Sequence, residues 1–148
     1  MPLMRRLLLV GLLGCAACLE PGDPFLAERD TDPPDVVSTE PSAGGTLPLS
    51  GQLEVLFSET MDVRTLRPGI AVFEGRAELP LVLTVPPASD ADENLERGDV
   101  PYTVTVSAAE AGAFKPGTAY TLVLRTSLTD YEGNPLRQEV RVPFRTAP

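Results

Sequence analysis

The sequence predicts an all-β domain, a sandwich of seven antiparallel strands, preceded by an export signal and a short disordered tether. Three observations carry this. Apolar and polar side chains alternate with a period of two in short stretches; Pro and Gly punctuate those stretches at strand-length intervals; and no segment sustains a helical stripe. One apolar and one wet face per strand means antiparallel sheets packed face to face, because strands covered on both sides read as continuous Val, Ile and Leu runs.

Residues 1–18 form the signal region. Arg5 and Arg6 precede Leu7-Leu8-Leu9-Val10-Gly11-Leu12-Leu13, an apolar run of signal-peptide length and much too short to span a bilayer. Gly14-Cys15-Ala16-Ala17-Cys18 follows, with small residues just before each Cys. This region resembles a bacterial lipoprotein lipobox, which implies that a Cys becomes the acylated first residue of the mature chain. Leu12, three places upstream, favours Cys15, whereas the length of the apolar core favours Cys18 as the alternative. The competing reading is an ordinary cleaved signal with a Cys by chance. Acylation would give a membrane partner through an N-terminal lipid anchor, at roughly 0.8 kcal/mol per buried CH₂. Neither Ala16 nor Leu19 is the Asp that retains many such proteins at the inner membrane, so the resemblance implies export to the cell envelope and anchorage at the outer membrane.

Residues 19–34 read as a tether. Pro21, Pro24, Pro33 and Pro34 alternate with Glu20, Asp23, Glu28, Asp30 and Asp32, and such a segment buries too little apolar surface to offset its ordering entropy. Residues 35–148 read as the domain. Its expected strands are 35–39, then 53–57 with Leu53, Val55 and Phe57 inward, 70–74, and 78–85 with Leu79, Leu81, Leu83 and Val85 on one face. Strands with Tyr102, Val104 and Val106, with Tyr120, Leu122 and Leu124, and with Val140, Val142 and Phe144 complete the seven. Between the second and third, 62–67 reads as one or two helical turns that Asp62 can cap and that Pro68 and Gly69 stop.

Composition narrows the chemistry. The chain of 148 residues has no His, and its two Cys, Cys15 and Cys18, lie in the leader. Imidazole and thiolate catalysis, zinc fingers and structural disulfides are therefore excluded from the domain. The net charge is −9 with a single Lys, Lys115, and because the leader holds Arg5 and Arg6 but no acid, residues 19–148 are more acidic than the whole chain. A polyanion needs Lys and Arg to replace its counterions, which argues against nucleic acid as a partner. Carboxylate pairs are the minimum for glycoside hydrolysis, yet no Gly-x-Ser-x-Gly elbow or phosphate loop is present, so the reading is not an enzyme and no cofactor is required.

Three ordered motifs resemble the bacterial Ig-like domains named after the surface-layer protein SbsA. Asp32-Pro33-Pro34-Asp35-Val36-Val37-Ser38-Thr39-Glu40-Pro41 is similar to that family's first strand and turn, and Phe57-Ser58-Glu59-Thr60-Met61-Asp62 to its Phe-Ser-Glu-x-Met-Asp signature. Pro116-Gly117-Thr118-Ala119-Tyr120, then Asp130-Tyr131-Glu132-Gly133-Asn134-Pro135-Leu136, are similar to its late strand start and hairpin. The acidic stretch 86–101 departs from the pattern, being longer than the family's usual connection. The resemblance implies an Ig-like sandwich used as a spacer or as a binding module for an envelope or surface protein, and implies no activity.

In an Ig-like sandwich the loops after the second and sixth strands emerge at one end, which would bring together Glu59, Asp62, Asp130, Glu132 and Asn134. Five oxygen-bearing side chains are candidates for calcium, an ion that takes six to eight oxygens in flexible geometry. The same residues have structural uses: Asp62 as a helix cap, Gly133 and Asn134 as positive-φ turn residues, and Asp130 as acceptor for backbone N–H groups. Asp90-Ala91-Asp92-Glu93-Asn94 begins like an EF-hand loop, but Leu95 stands where Gly is needed and Pro101 where a bidentate Glu belongs. Tyr120 stands where a tyrosine corner would bond upstream backbone. Sugar-stacking aromatics are confined to Phe25, Phe73, Phe114 and Tyr131.

Overall fold

The computed structural model describes residues 30–87 and 100–148. The leader, Cys15 and Cys18, most of the tether, Phe25 and the 90–94 loop lie outside the described residues. The element order is β1 (Val36–Glu40), β2 (Thr46–Leu47), β3 (Leu53–Phe57), α1 (Val63–Gly69), β4 (Ile70–Glu74), β5 (Ala77–Glu78), β6 (Leu81–Thr84), β7 (Tyr102–Ala108), β8 (Ala119–Leu124) and β9 (Val140–Thr146). A four-stranded sheet in the order β1-β3-β7-β6 faces a five-stranded sheet in the order β2-β9-β8-β4-β5.

The alternation read in the sequence sets the core. Leu53, Val55 and Phe57 of β3 lie beside Val104 and Val106 of β7, and all five are essentially inaccessible to solvent. Opposite them, Ile70, Val72, Tyr120, Leu122, Leu124, Val142 and Phe144 supply the inner face of the second sheet. Polar partners Glu54, Thr103, Thr105 and Arg141 point outward, as period-two geometry requires.

Nine strands among the described residues replace the seven expected, for two reasons. β2 is only two residues long, too short for any periodicity, yet Leu47 is buried in the core. It pairs parallel to β9, Thr46 with Arg145 and Leu47 with Thr146, so the sandwich is not purely antiparallel as expected. The expected strand over 78–85 is divided. β5 pairs with β4 in one sheet, β6 pairs with β7 in the other, and the chain crosses between them at Leu79 and Pro80. The Leu79 N–H donates to the Val72 carbonyl, and the next carbonyl, of Pro80, accepts from Ala109. Leu79, Leu81, Leu83 and Val85 all pack against the core throughout, so the inward phase survives the crossing and conceals it from sequence periodicity.

α1 runs two residues past the expected stop, through Pro68 and Gly69. In a helix this short, Pro68 falls in the last turn. Gly69 permits close packing: a Cβ there would stand 2.4 Å from Cγ of Leu128, which is fully buried.

Candidate functional site

The loop after β3 and the loop between β8 and β9 are stitched together by backbone. Asp62 N–H donates to the Thr129 carbonyl (3.0 Å), Tyr131 N–H donates to the Thr60 carbonyl (3.1 Å), and Met61 bridges Asp130. Thr65 adds a side-chain stitch, its Oγ1 accepting from the Thr129 N–H at 3.2 Å. Ser58 closes the same end onto the start of β1: its N–H donates to the Asp35 carbonyl, and its Oγ accepts from the Asp35 N–H.

This stitching places the carboxylates of Glu59, Asp130 and Glu132 together, with one oxygen of each within 4.8 Å of the others. Glu59 and Asp130 are buried and Glu132 is half-buried. Asp130 also organises its own turn. Its Oδ1 accepts from the Asn134 N–H and its Oδ2 from Asn134 Nδ2, both at 2.7 Å. Gly133 supplies the positive φ (93°), whereas Asn134 has negative φ. Asn134 Nδ2 donates a second bond to the Asp30 carbonyl at 3.1 Å, so its amide nitrogen, rather than its oxygen, faces Asp130.

Asp62 is used differently. Its Oδ1 accepts from the Arg64 N–H at 2.9 Å, capping α1, and its carboxylate forms a bidentate pair with Arg64 Nε and Nη2 (2.7 Å at the shortest). The Arg64 hydrogen bonds hold this carboxyl below the usual carboxylate range. Of the five candidates, then, three converge, Asn134 stands beside them as a donor, and Asp62 belongs to the helix start. Three carboxylates offer only hard oxygen ligands, the donor type that suits calcium, and the remaining ligands of such an ion would have to come from backbone carbonyls or water.

Sequence reasoning missed the fixing roles of Thr65, Ser58 and the Asp30 carbonyl. The only signal for them was the presence of small hydroxyl residues next to a cap and a turn, a pattern too common to single out. Among the stacking candidates, Phe114 is buried against Tyr120 and Phe144 (centroids 5.2 and 6.2 Å), Phe73 is half-buried and Tyr131 is 56% exposed. Tyr120 does form the corner: its OH accepts from the Lys115 N–H at 2.9 Å and donates to the Ala113 carbonyl at 3.4 Å.

With the sandwich, its Tyr corner and its loop geometry in hand, comparison with known proteins is direct. The family described as "Bacterial Ig-like domain" matches residues 30–146. The chain belongs to the bacterial Ig-like domain family. No curated protein matches it. Among solved structures, this Ig-like domain is similar to PcoC, a methionine-rich copper resistance protein from Escherichia coli, at 17% identity and a TM-score of 0.49, over 76% of this chain and 97% of that one. A likeness of that size says nothing about ligands. Membership of the Ig-like family accounts for the sandwich, while any ligand has to be argued from the residues at the loop end.

Proposed function

We propose that this chain is a non-enzymatic lipoprotein of the cell envelope that presents one Ig-like domain, of the type named after SbsA, as a structural or protein-interaction module. The observation that carries this reading is the pairing of an export-type leader ending in Cys15 and Cys18 with a domain in which the Asp62 and Asp130 carboxylates are used by its own helix cap and turn. Acylation at Cys15, or alternatively Cys18, would anchor it at the outer membrane, and the acidic tether 19–34 would hold the sandwich off the lipid surface. The test is to replace Cys15 and Cys18 by Ser, singly and together, and follow incorporation of labelled fatty acid. Label lost only in the variant lacking the modified Cys is expected; label retained in the double variant sinks the anchor.

One observation favours a second reading, a calcium-dependent surface binding domain: Glu59, Asp130 and Glu132 bring three carboxylates within 4.8 Å at the loop end. The exposed Tyr131 in the same loop extends this reading to a glycan ligand. Calcium titration with thermal melting tests it. At 100 times its dissociation constant the ion would add roughly 2.7 kcal/mol, a shift that Glu59→Gln should remove. An unchanged melting temperature across the titration rejects this reading and leaves the first intact.

A further inference from the structure

We propose that the β6 edge pairs with the β6 edge of a second copy of this chain, extending the four-stranded sheet across a two-fold axis at Leu83. Four strands form the edges of the two sheets, and three of them are unsuited to pairing. β2 and β5 have two residues each, and β1 is interrupted by a bulge between Val36 and Ser38 and ends at Glu40. β6 carries none of these devices. Residues 81–85 are Leu, Val, Leu, Thr and Val, with no charge, and Val82 is 45% exposed.

The hydrogen-bond phase shows what this edge offers. Leu81 stands opposite Ala108, and one step outward the Ala109 N–H donates to the Pro80 carbonyl. Bonded pairs alternate in an antiparallel ladder, so Val82 and Thr84 direct their backbone groups to β7, and Leu81, Leu83 and Val85 direct theirs away from it. The Leu79 N–H, which donates to Val72 in the other sheet, has the same phase. The flanking Pro80 and Pro86 share the phase of Val82 and Thr84, so neither removes a donor from the free edge.

A second copy fits this edge by charge and by symmetry. In a chain of net charge −9, an uncharged strand lets two copies align without opposing carboxylates. An axis through Leu83 sets Leu81 opposite Val85 of the second copy and Leu83 opposite its own equivalent, matching every outward donor to an acceptor. Leu81, Leu83 and Val85 are only partly buried, and a groove of about 160 Å³ lined by Ile70, Leu79, Pro80, Leu81 and Leu83, with Arg67 and Glu78 also in its wall, runs along their flank. A paired strand would cover it. The inference does not depend on the lipid anchor.

The experiment uses the chain from Leu19 onward, which contains every residue of the packed core and no Cys. Sedimentation equilibrium should show a monomer–dimer equilibrium. Val82→Glu, on the solvent face, should raise the dissociation constant by roughly tenfold or more through like charges beside the axis, while Val37→Glu on β1 should leave it unchanged. Circular dichroism of each variant confirms that the sandwich is intact. The double variant Val82→Cys with Thr84→Cys places thiols opposite each other across the axis, in the closer, non-hydrogen-bonded kind of pair, and should oxidise to a covalent dimer. A chain that stays monomeric at the highest concentration, a dimer indifferent to Val82→Glu, or a monomer whose Leu81 and Leu83 amides resist hydrogen exchange because residues 88–99 cover the edge would each overturn the inference.

Discussion

Where β8 begins, Phe114, Tyr120 and Phe144 close the sandwich with three rings; where β8 ends, the loops carrying Glu59, Asp130 and Glu132 close it with carboxylates and backbone hydrogen bonds. At the ring end the buried polar bonds are neutral, and the Lys115–Glu74 ion pair (2.8 Å) lies at the surface. The Tyr120 hydroxyl holds the 113–115 backbone, and the Thr146 hydroxyl, fully buried, accepts from the Thr118 N–H and donates to the Lys115 carbonyl. At the carboxylate end the side-chain acceptors are acids, and three of them stand within 4.8 Å of one another. The contrast teaches that solution conditions reach the two ends unequally: apolar area and hydroxyls respond little to pH or cations, whereas the other end is built from groups that do.

The largest effect should come from breaking the ring end. Phe114→Ala removes a buried ring that meets Tyr120 edge-on and leaves a cavity the neighbouring strands cannot fill. Equilibrium denaturation should show a loss of about 3–5 kcal/mol, equal at pH 5 and pH 8. A pH-dependent loss would break the proposed division between the ends.

At the carboxylate end the largest effect lies under the loops. Gly69→Ala gains up to about 1 kcal/mol of helix propensity, but the new Cβ would lie 2.4 Å from Leu128 Cγ. Overpacking of about 1–3 kcal/mol should win, because Leu128 has no solvent to move into. Destabilisation in chemical denaturation, partly relieved by adding Leu128→Ala, is the expected result. Next in size is Tyr120→Phe, which keeps the ring but removes the acceptor for the Lys115 N–H, for a loss of about 1–2 kcal/mol.

Much of this was legible in the sequence, and the exceptions have physical reasons. Strands of four to seven residues such as β3, β7 and β9 display enough alternation to be read, and Tyr120 after Pro-Gly-Thr marked its own corner. β2 could not be read, because two residues have no period. The break at Pro80 was hidden because Leu79 and Leu81 face inward on both sides of it. At the loop end the five candidate residues were named, but which of them meet depends on long-range bonds such as Asp62 to Thr129, which no local pattern encodes. The alternative local roles were easier to see, since a cap and a turn are written in adjacent residues, as with Asp62 before α1 and Asp130 before Gly133.

Asp62 gives the smallest effect and the sharpest test of the contrast. Its carboxylate caps α1 and pairs with Arg64, which is largely exposed, so the ion pair adds little beyond the cap. Asp62→Ala should therefore cost about 1 kcal/mol at pH 7. Because the folded carboxyl titrates below its unfolded value, the stability it adds is fully present above the unfolded pKa of roughly 4 and fades as pH falls through the lower folded value. The difference between wild type and Asp62→Ala, measured by urea unfolding from pH 7 downward, should hold steady to about pH 5 and then shrink towards pH 2. Tyr120→Phe measured in parallel should keep its full cost across that range, since the bond lost is between a hydroxyl and a backbone N–H. If the Asp62 difference instead persists undiminished at pH 2, the cap acts through shape rather than charge, and this part of the carboxylate end is no more responsive to pH than the rings opposite.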